Sequence, residues 1–413
     1  STNTKPYKVV AGTPVEIEID GLKPNQDYFY QLKYRNAGQT KTKTSNVYSF
    51  NTQRAPASSF RFTVQADSHL DENTSGDVYL TTLRNALRDD SDFHVALGDT
   101  FMTGKYVRPE LAEPQDLAQR YYLGSLCHST PLFFCLGNHD GESSKGGREK
   151  SKSGGKNRNR DDHETAENLT RNWSVDARKK YIPNPFPNLK DTKSFYSGNE
   201  MIVDNVGQIE DYYAWDWGNS LFIVLDPFWY SGGQSRTEGD HWHQTLGDAQ
   251  YRWLEKTLGT SKAKFKFVFI HHLIGGADRH NRGGVHSAPF FEWGGKELDG
   301  TDTFSTNRPK WKLPIHDLLV KNDVSVVFHG HDHLYAKEEL GGIIYQAVPQ
   351  PGHPRFGNVR SAEEYGYLGE VISSSGHLRI SVSSDFARID YVRAYLPKDE
   401  TSQRTNGEIG SSY

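Results

Sequence analysis

The chain has 413 residues, too many for one small domain, and a formal net charge of −4, so no overall basic field points to nucleic acid and no strong acidity points to disorder. Hydrophobic residues make up 35% and aromatic residues 12%; this is a polar-surfaced globular composition, and no run approaches the roughly eighteen apolar residues of a membrane span. Two cysteines, Cys127 and Cys135, exclude a disulfide framework and are expected to be reduced core thiols, since Cys135 closes the apolar run "PLFFC".

In chain order, "VEIEIDGLKPNQDYFYQLKYR" and "SNVYSFNT" alternate apolar and polar residues around a turn, the pattern of antiparallel strands, so residues 1–55 read as a small all-β module. The opening "STNTKPYKVV" has no basic region followed by an apolar one, so it is not a signal peptide. From Phe60 the pattern changes. "RFTVQA", "FHVALG", "LFFCLG", "SLFIVLD", "KFVFIHH" and "VSVVFHG" are short apolar runs, each ending in Asp, Gly or His. The stretches "GDVYLTTLRNALRDD", "DAQYRWLEKTL" and "KWKLPIHDLLV" carry apolar residues at helical spacing. Strands alternating with helices predict an α/β domain over 56–395 with its site at the carboxyl ends of the strands. Residues 143–170 form an insertion rich in Lys, Arg and Gly, read as a solvated surface loop or, more sharply, as an electropositive lid. "GHLRISVSS" and "FARIDYVRAYL" predict an antiparallel hairpin, and 396–413 reads as a mobile polar tail.

Five strand ends share one character. They are "ADSH" with Asp67 and His69, "LGDT" with Asp99, "LGNHD" with Asn138, His139 and Asp140, "IHH" with His271 and His272, and "HGHDH" with His329, His331 and His333. One such end is unremarkable, but five in series point to two divalent cations about 3.5 to 4 Å apart, which need a shared anionic bridge and neutral imidazoles or amides around it. D-x-H and H-x-H spacing would send paired side chains to one side of an extended strand end.

D-x-H, G-D, G-N-H-D, H and G-H-x-H in that order resemble the signature of the calcineurin-like metallophosphoesterases over about residues 60–395. The resemblance implies a four-layer αββα sandwich and hydrolysis of phosphoester bonds at a dinuclear metal centre. It makes Asp67, His69 and His333 ligands of one metal, Asp99 the bridge, and Asn138, His271 and His331 ligands of the other. His139, paired with Asp140, is left to assist the leaving group of an attack by a metal-bridging hydroxide. His272, Arg279, Arg282, His353 and Arg355 are candidate substrate contacts, and His329 is read as structural. Trp229, Tyr230 and Trp293 either frame the pocket or pack beneath loops.

The N-terminal module is similar to part of a fibronectin type III domain, a pairing that resembles purple acid phosphatases and exported bacterial phosphoesterases. Those phosphatases carry a metal-binding Tyr shortly after the second-motif Asp, where this chain reads "GDTFM". No purple Fe(III) colour is therefore expected, and Fe, Mn or Zn stay open. The expected partner is a small phosphoester, a monoester before a diester, and the expected location is outside the cytoplasm. A nuclease of the same superfamily and a non-catalytic adhesion protein are the alternatives; oligomeric state is not legible.

Overall fold

The computed structural model describes residues 3–106, 108–143, 160–190, 194–231, 241–277, 280–355 and 359–413, with the side chains of 160–170, 360 and 361 left aside. Each of the six apolar runs forms a strand: Phe60–Gln65, Phe93–Leu97, Leu132–Cys135, Ser220–Val224, Phe265–Phe269 and Val326–His329. The first three lie parallel in a six-stranded sheet. The others run parallel in an eight-stranded sheet and continue into Ile343–Ala347.

The runs are apolar on both faces because both faces are covered. Phe62, Val64, Phe93 and Val95 meet Phe222, Val224, Phe267 and Phe269 of the other sheet in one buried core. Phe62 sets its edge against Phe222 at 5.2 Å, and Phe133 stacks on Trp215 at 4.0 Å. On the outer face of the six-stranded sheet, Ala96 and Phe134 pack against Tyr79, Leu83 and Ala86 of the helix Gly76–Arg88 and Leu123 and Leu126 of the helix Pro109–Cys127. On the other side Ile223, Val268 and Val327 pack against Leu254 and Leu258 of Gly247–Thr260 and Leu318 and Leu319 of Ile315–Lys321. The result is the expected αββα layering.

Several local expectations change. "KWKLP" is not helical; Pro314 is extended and the helix starts at Ile315. The helix Pro109–Cys127 escapes an apolar-periodicity reading because Asp116 and Gln119 are among the residues it buries. Part of the insertion read as loop belongs to the helix Arg160–Tyr181. There the fully buried Arg178 donates to both oxygens of Glu142, at 2.6 and 3.2 Å, and so ties the two stems of the insertion. Residues 144–159, on which a lid would rest, lie outside the described residues. The predicted hairpin forms as Gly376–Val382 and Ala387–Arg393. The tail is not loose: Ile409–Ser412 pairs with Ala387–Arg393 at the edge of the six-stranded sheet, and Tyr413 donates to Gln346 at 2.6 Å. Cys127 and Cys135 are both free thiols. Among the described residues no helix is long and apolar enough to cross a membrane.

In the N-terminal region Asp27–Tyr30 pairs with Tyr48–Asn51 and Lys33–Tyr34 with Lys43–Thr44, both antiparallel. "VEIEID" forms no strand. Among the described residues no strand takes up its main-chain groups, and Ile17 and Ile19 stay exposed. Asn51 and Arg54, at the end of this region, are fastened to Asp92, which is buried just before Phe93–Leu97. Its carboxylate accepts from Arg54 at 2.9 and 2.7 Å, Asn51 at 2.7 Å and Trp217 at 3.0 Å.

Candidate metal centre

The five motif loops follow the carboxyl ends of parallel strands in both sheets, and main-chain bonds stitch them together. Asp67 N–H donates to the Gly98 carbonyl and His69 N–H to that of Asp99, both at 3.0 Å. Within the eight-stranded sheet Gly330 N–H donates to the His271 carbonyl at 2.9 Å, and His331 N–H reaches across to the other sheet's Asp67 carboxylate at 2.8 Å. The motif glycines are there for lack of room: a Cβ on Gly137 would lie 2.0 Å from the Asp99 nitrogen.

The ligand-bearing residues do not sit on strands. Asp67, His69, Asp99, His331 and His333 all adopt positive φ, between 47° and 73°. The D-x-H and H-x-H spacings therefore work through left-handed turns rather than through strand alternation. Such turns are costly for residues with a Cβ and gather where the surrounding structure enforces them for a function.

Two groups of side chains result. Asp67, His69 and His333 offer ligand atoms that all lie within 4.8 Å of one another, and so do those of Asp99, His271 and His331. Asp99 lies between the groups, its Oδ2 3.3 Å from His271 Nε2 and 3.7 Å from His69 Nε2. Asp67 Oδ1 is 3.4 Å from His333 Nε2 and 3.7 Å from His69 Nε2. Ligands held about 2.1 Å from a tetrahedral ion stand about 3.4 Å apart, so these spacings fit donors converging on a cation.

Hydrogen bonding gives the same answer. Asp67 Oδ1, His69 Nε2, Asn138 Oδ1 and His271 Nε2 are buried without a hydrogen-bond partner, an arrangement that costs about 1 to 3 kcal/mol per group unless something else satisfies it. The far nitrogens, by contrast, are engaged. His271 Nδ1 donates to the Leu97 carbonyl at 2.9 Å and His331 Nε2 to that of His280 at 2.7 Å. A carbonyl only accepts, so each ring is fixed in the tautomer that leaves its other nitrogen, Nε2 of His271 and Nδ1 of His331, as a ligand. Burial disfavours a charged imidazole, yet the Asp67 and Asp99 carboxylates raise His69 to about 10 and His271 to about 9. The partnerless ligand atoms, the fixed tautomers and the two carboxylates make up the donor set of a cation site, and these residues fit a metal pair.

Asp140 stands elsewhere than expected. Its carboxylate accepts from the N–H groups of Gly137 at 2.6 Å, Phe101 at 2.7 Å and Asp99 at 3.0 Å. It pins the Asp99 and Asn138 loops to each other and has no bond to the His139 ring. His139 is partly exposed beside the cluster, its Nε2 3.9 Å from Asp99 Oδ2, and burial lowers its pKa. His272 is buried, with the edge of Phe228 on it at 5.1 Å. Arg282 is bound to Asp332 at 3.0 Å and lies over Tyr365. His353 lies within the field of His333, and Arg355 is exposed with its N–H on His353 Nδ1 at 3.2 Å. Arg279 lies outside the described residues. His329 is buried in its strand, parallel to the Tyr367 ring. Trp293 is core, bonded to Tyr345, and Trp229 packs with Val175 and Ile209.

Sequence reasoning misses the residues that hold the loops. Gln115 donates to the His69 carbonyl at 2.9 Å and accepts from Met102 N–H at 2.5 Å. Gln119 bonds Ser68 Oγ and the Thr100 carbonyl. Their spacing of four residues on one helix, polar yet inward-facing, is the only signal. Asp71 Oδ2 lies 3.7 Å from His69 Nδ1, and that imidazole holds the Asp71 carboxyl well below its usual range.

No curated protein matches the chain. Among solved structures, PhoD superposes with a TM-score of 0.63 at 18% identity, over 95% of this chain and 76% of that one. A purple acid phosphatase from yellow lupin (Lupinus luteus) seeds superposes with a TM-score of 0.54 at 15% identity, over 95% of this chain and 60% of that one. The family profile of the calcineurin-like phosphoesterases matches residues 60–335. The chain therefore belongs to the calcineurin-like phosphoesterases, and is a hydrolase of phosphoric esters.

Proposed function

We propose that the chain hydrolyses small phosphomonoesters with two metal ions, Fe, Mn or Zn, held by Asp67, His69 and His333 on one side and Asn138, His271 and His331 on the other, with Asp99 between them. The observation that carries this reading is the pair of three-residue groups whose ligand atoms converge while four of the seven ligating residues keep a buried atom without a partner. When bound, the metals supply Lewis acidity towards a phosphoryl oxygen and bring the pKa of a coordinated water to about 7.

The chain's own residues do the rest. The carbonyls of Leu97 and His280 orient two of the imidazoles. Asp140 fixes the Asp99 loop against Gly137. His139, partly open to solvent and 3.9 Å from Asp99 Oδ2, is on this reading the group that assists the leaving alkoxide, a role worth about 10² to 10⁴ in rate. His272 and His353 are our further candidates for substrate contact. We read residues 1–55 as a partial fibronectin-like module and the protein as exported.

The test is elemental analysis of protein purified without chelator, alongside hydrolysis of p-nitrophenyl phosphate and bis-p-nitrophenyl phosphate. Two metals per chain with faster monoester turnover is the expected result. Inactive, metal-free protein that added Mn, Zn or Fe does not restore would end the reading.

A further inference from the structure

Beside the metal-ligand groups stands a cation that neither the motifs nor the arginine candidates bring to notice. Lys105 closes the short turn Thr103–Lys105. Gly104 in that turn donates its N–H to the His139 carbonyl at 3.0 Å, so the turn rides on the His139 loop. Lys105 Nζ lies 3.5 Å from Asp71 Oδ2, the same oxygen that lies 3.7 Å from His69 Nδ1. The lysine side chain is 49% exposed while Asp71 is 10% exposed. The ammonium is thus anchored on one side by a nearly buried carboxylate and open on the other. Its positive field reaches the His139 ring. Arg282, in contrast, is committed to Asp332 at 3.0 Å and to the face of Tyr365.

We propose that Lys105 is a specificity-determining residue, giving its ammonium to a phosphoryl oxygen of a dianionic phosphomonoester seated beside His139. The inference rests on the phosphoester reading above and assigns the charge of the preferred substrate to one side chain. Near neutral pH a phosphomonoester carries about 1.5 to 2 negative charges, because its second pKa is about 6. A diester carries one, spread over two terminal oxygens rather than three. A point charge on a flexible stem, already held near the site, distinguishes the two by charge without demanding a fixed bidentate geometry. Asp71 keeps that stem near His69 until an anion replaces it as the partner of the ammonium.

The test uses the full metal-loaded chain with Lys105→Ala and Lys105→Arg. KM and kcat are measured for p-nitrophenyl phosphate and bis-p-nitrophenyl phosphate, and binding of inorganic phosphate is measured by calorimetry, with metal content recorded for each protein. For Lys105→Ala, KM for the monoester and Kd for phosphate should rise about ten- to a hundredfold, the loss of one charge-assisted hydrogen bond, while KM for the diester moves less than about threefold. Metal content should stay as in the wild type, and Lys105→Arg should recover most of the phosphate affinity. Unchanged phosphate affinity, or equal losses on both esters, overturns the proposal. So does loss of metal from Lys105→Ala, which would make the lysine a support for Asp71 and His69 alone. Phosphate binding needs no turnover, so wild-type protein that binds phosphate through Lys105 but hydrolyses neither ester would defeat the functional reading and leave this one standing.

Discussion

The two ligand groups are built differently. In the second, His271 and His331 are tethered through their far nitrogens to main-chain carbonyls of Leu97 and His280. In the first, His69 turns its far nitrogen to the Asp71 carboxylate, itself shared with the lysine beside it, and His333 is 33% exposed. A carbonyl on the backbone cannot move without the fold; a side-chain carboxylate can change partners. Each group has one half-exposed histidine, so the difference lies in the tethers: the second group is the rigid half of the centre and the first the adjustable half, which on our reading meets the substrate.

Asp99 offers the severest way to break this comparison, because its carboxylate lies within reach of both halves. Asp99→Asn should remove the distinction altogether: both equivalents of metal lost on gel filtration, and turnover abolished. Retention of one tightly held equivalent would mean that Asp99 serves only one half. A smaller effect sharpens the comparison. Asp71→Asn should leave metal at the second group in place and weaken the first by about ten- to a hundredfold, the usual cost of losing the partner of a ligating imidazole. Competition with a graded series of chelators would show one weakened and one unchanged ion; equal weakening of both would refute the rigid and adjustable division. The least effect on catalysis is expected far from either half. Asp92→Ala removes the acceptor shared by Arg54, Asn51 and Trp217 and should cost about 2 kcal/mol of stability. In a thermal melt Tm should fall while kcat stays as it was; a fall in kcat at a temperature where the protein is folded would tie the N-terminal region to the site.

Much of this was legible in the chain. The apolar runs at Phe60, Phe93, Leu132, Ser220, Phe265 and Val326 announce strands covered on both faces, and their polar ends mark where a site gathers. What stayed hidden has a common physical cause. The helix that carries Gln115 and Gln119 turns polar side chains inward to hold the motif loops, so the apolar rhythm that normally reveals a helix is blurred. Asp140 reads as a catalytic partner because it follows His139, yet the loop closes back on itself and its carboxylate is taken by three N–H groups. The positive φ values of Asp67 and His331 cannot be read from residue types that occur far more often in extended or helical backbone. "VEIEID" carries a strand pattern but finds no neighbour, because period-two alternation reports a face and not a partner.

The order of strands in the six-stranded sheet has a consequence for the birth of the protein. Phe60–Gln65, which leads into Asp67 and His69, borders Phe93–Leu97 on one side and Gly376–Val382 on the other. During synthesis its second edge stays bare until the ribosome has delivered roughly three hundred further residues, a long-range pairing of the kind that slows folding and exposes nascent chains to aggregation. Ile409–Ser412 then covers the outer edge of Ala387–Arg393. The sheet that carries the first three motifs is thus completed by a strand that follows the last of them, and a chain cut short between His333 and Gly376 would hold every motif with its first motif strand still open along one edge.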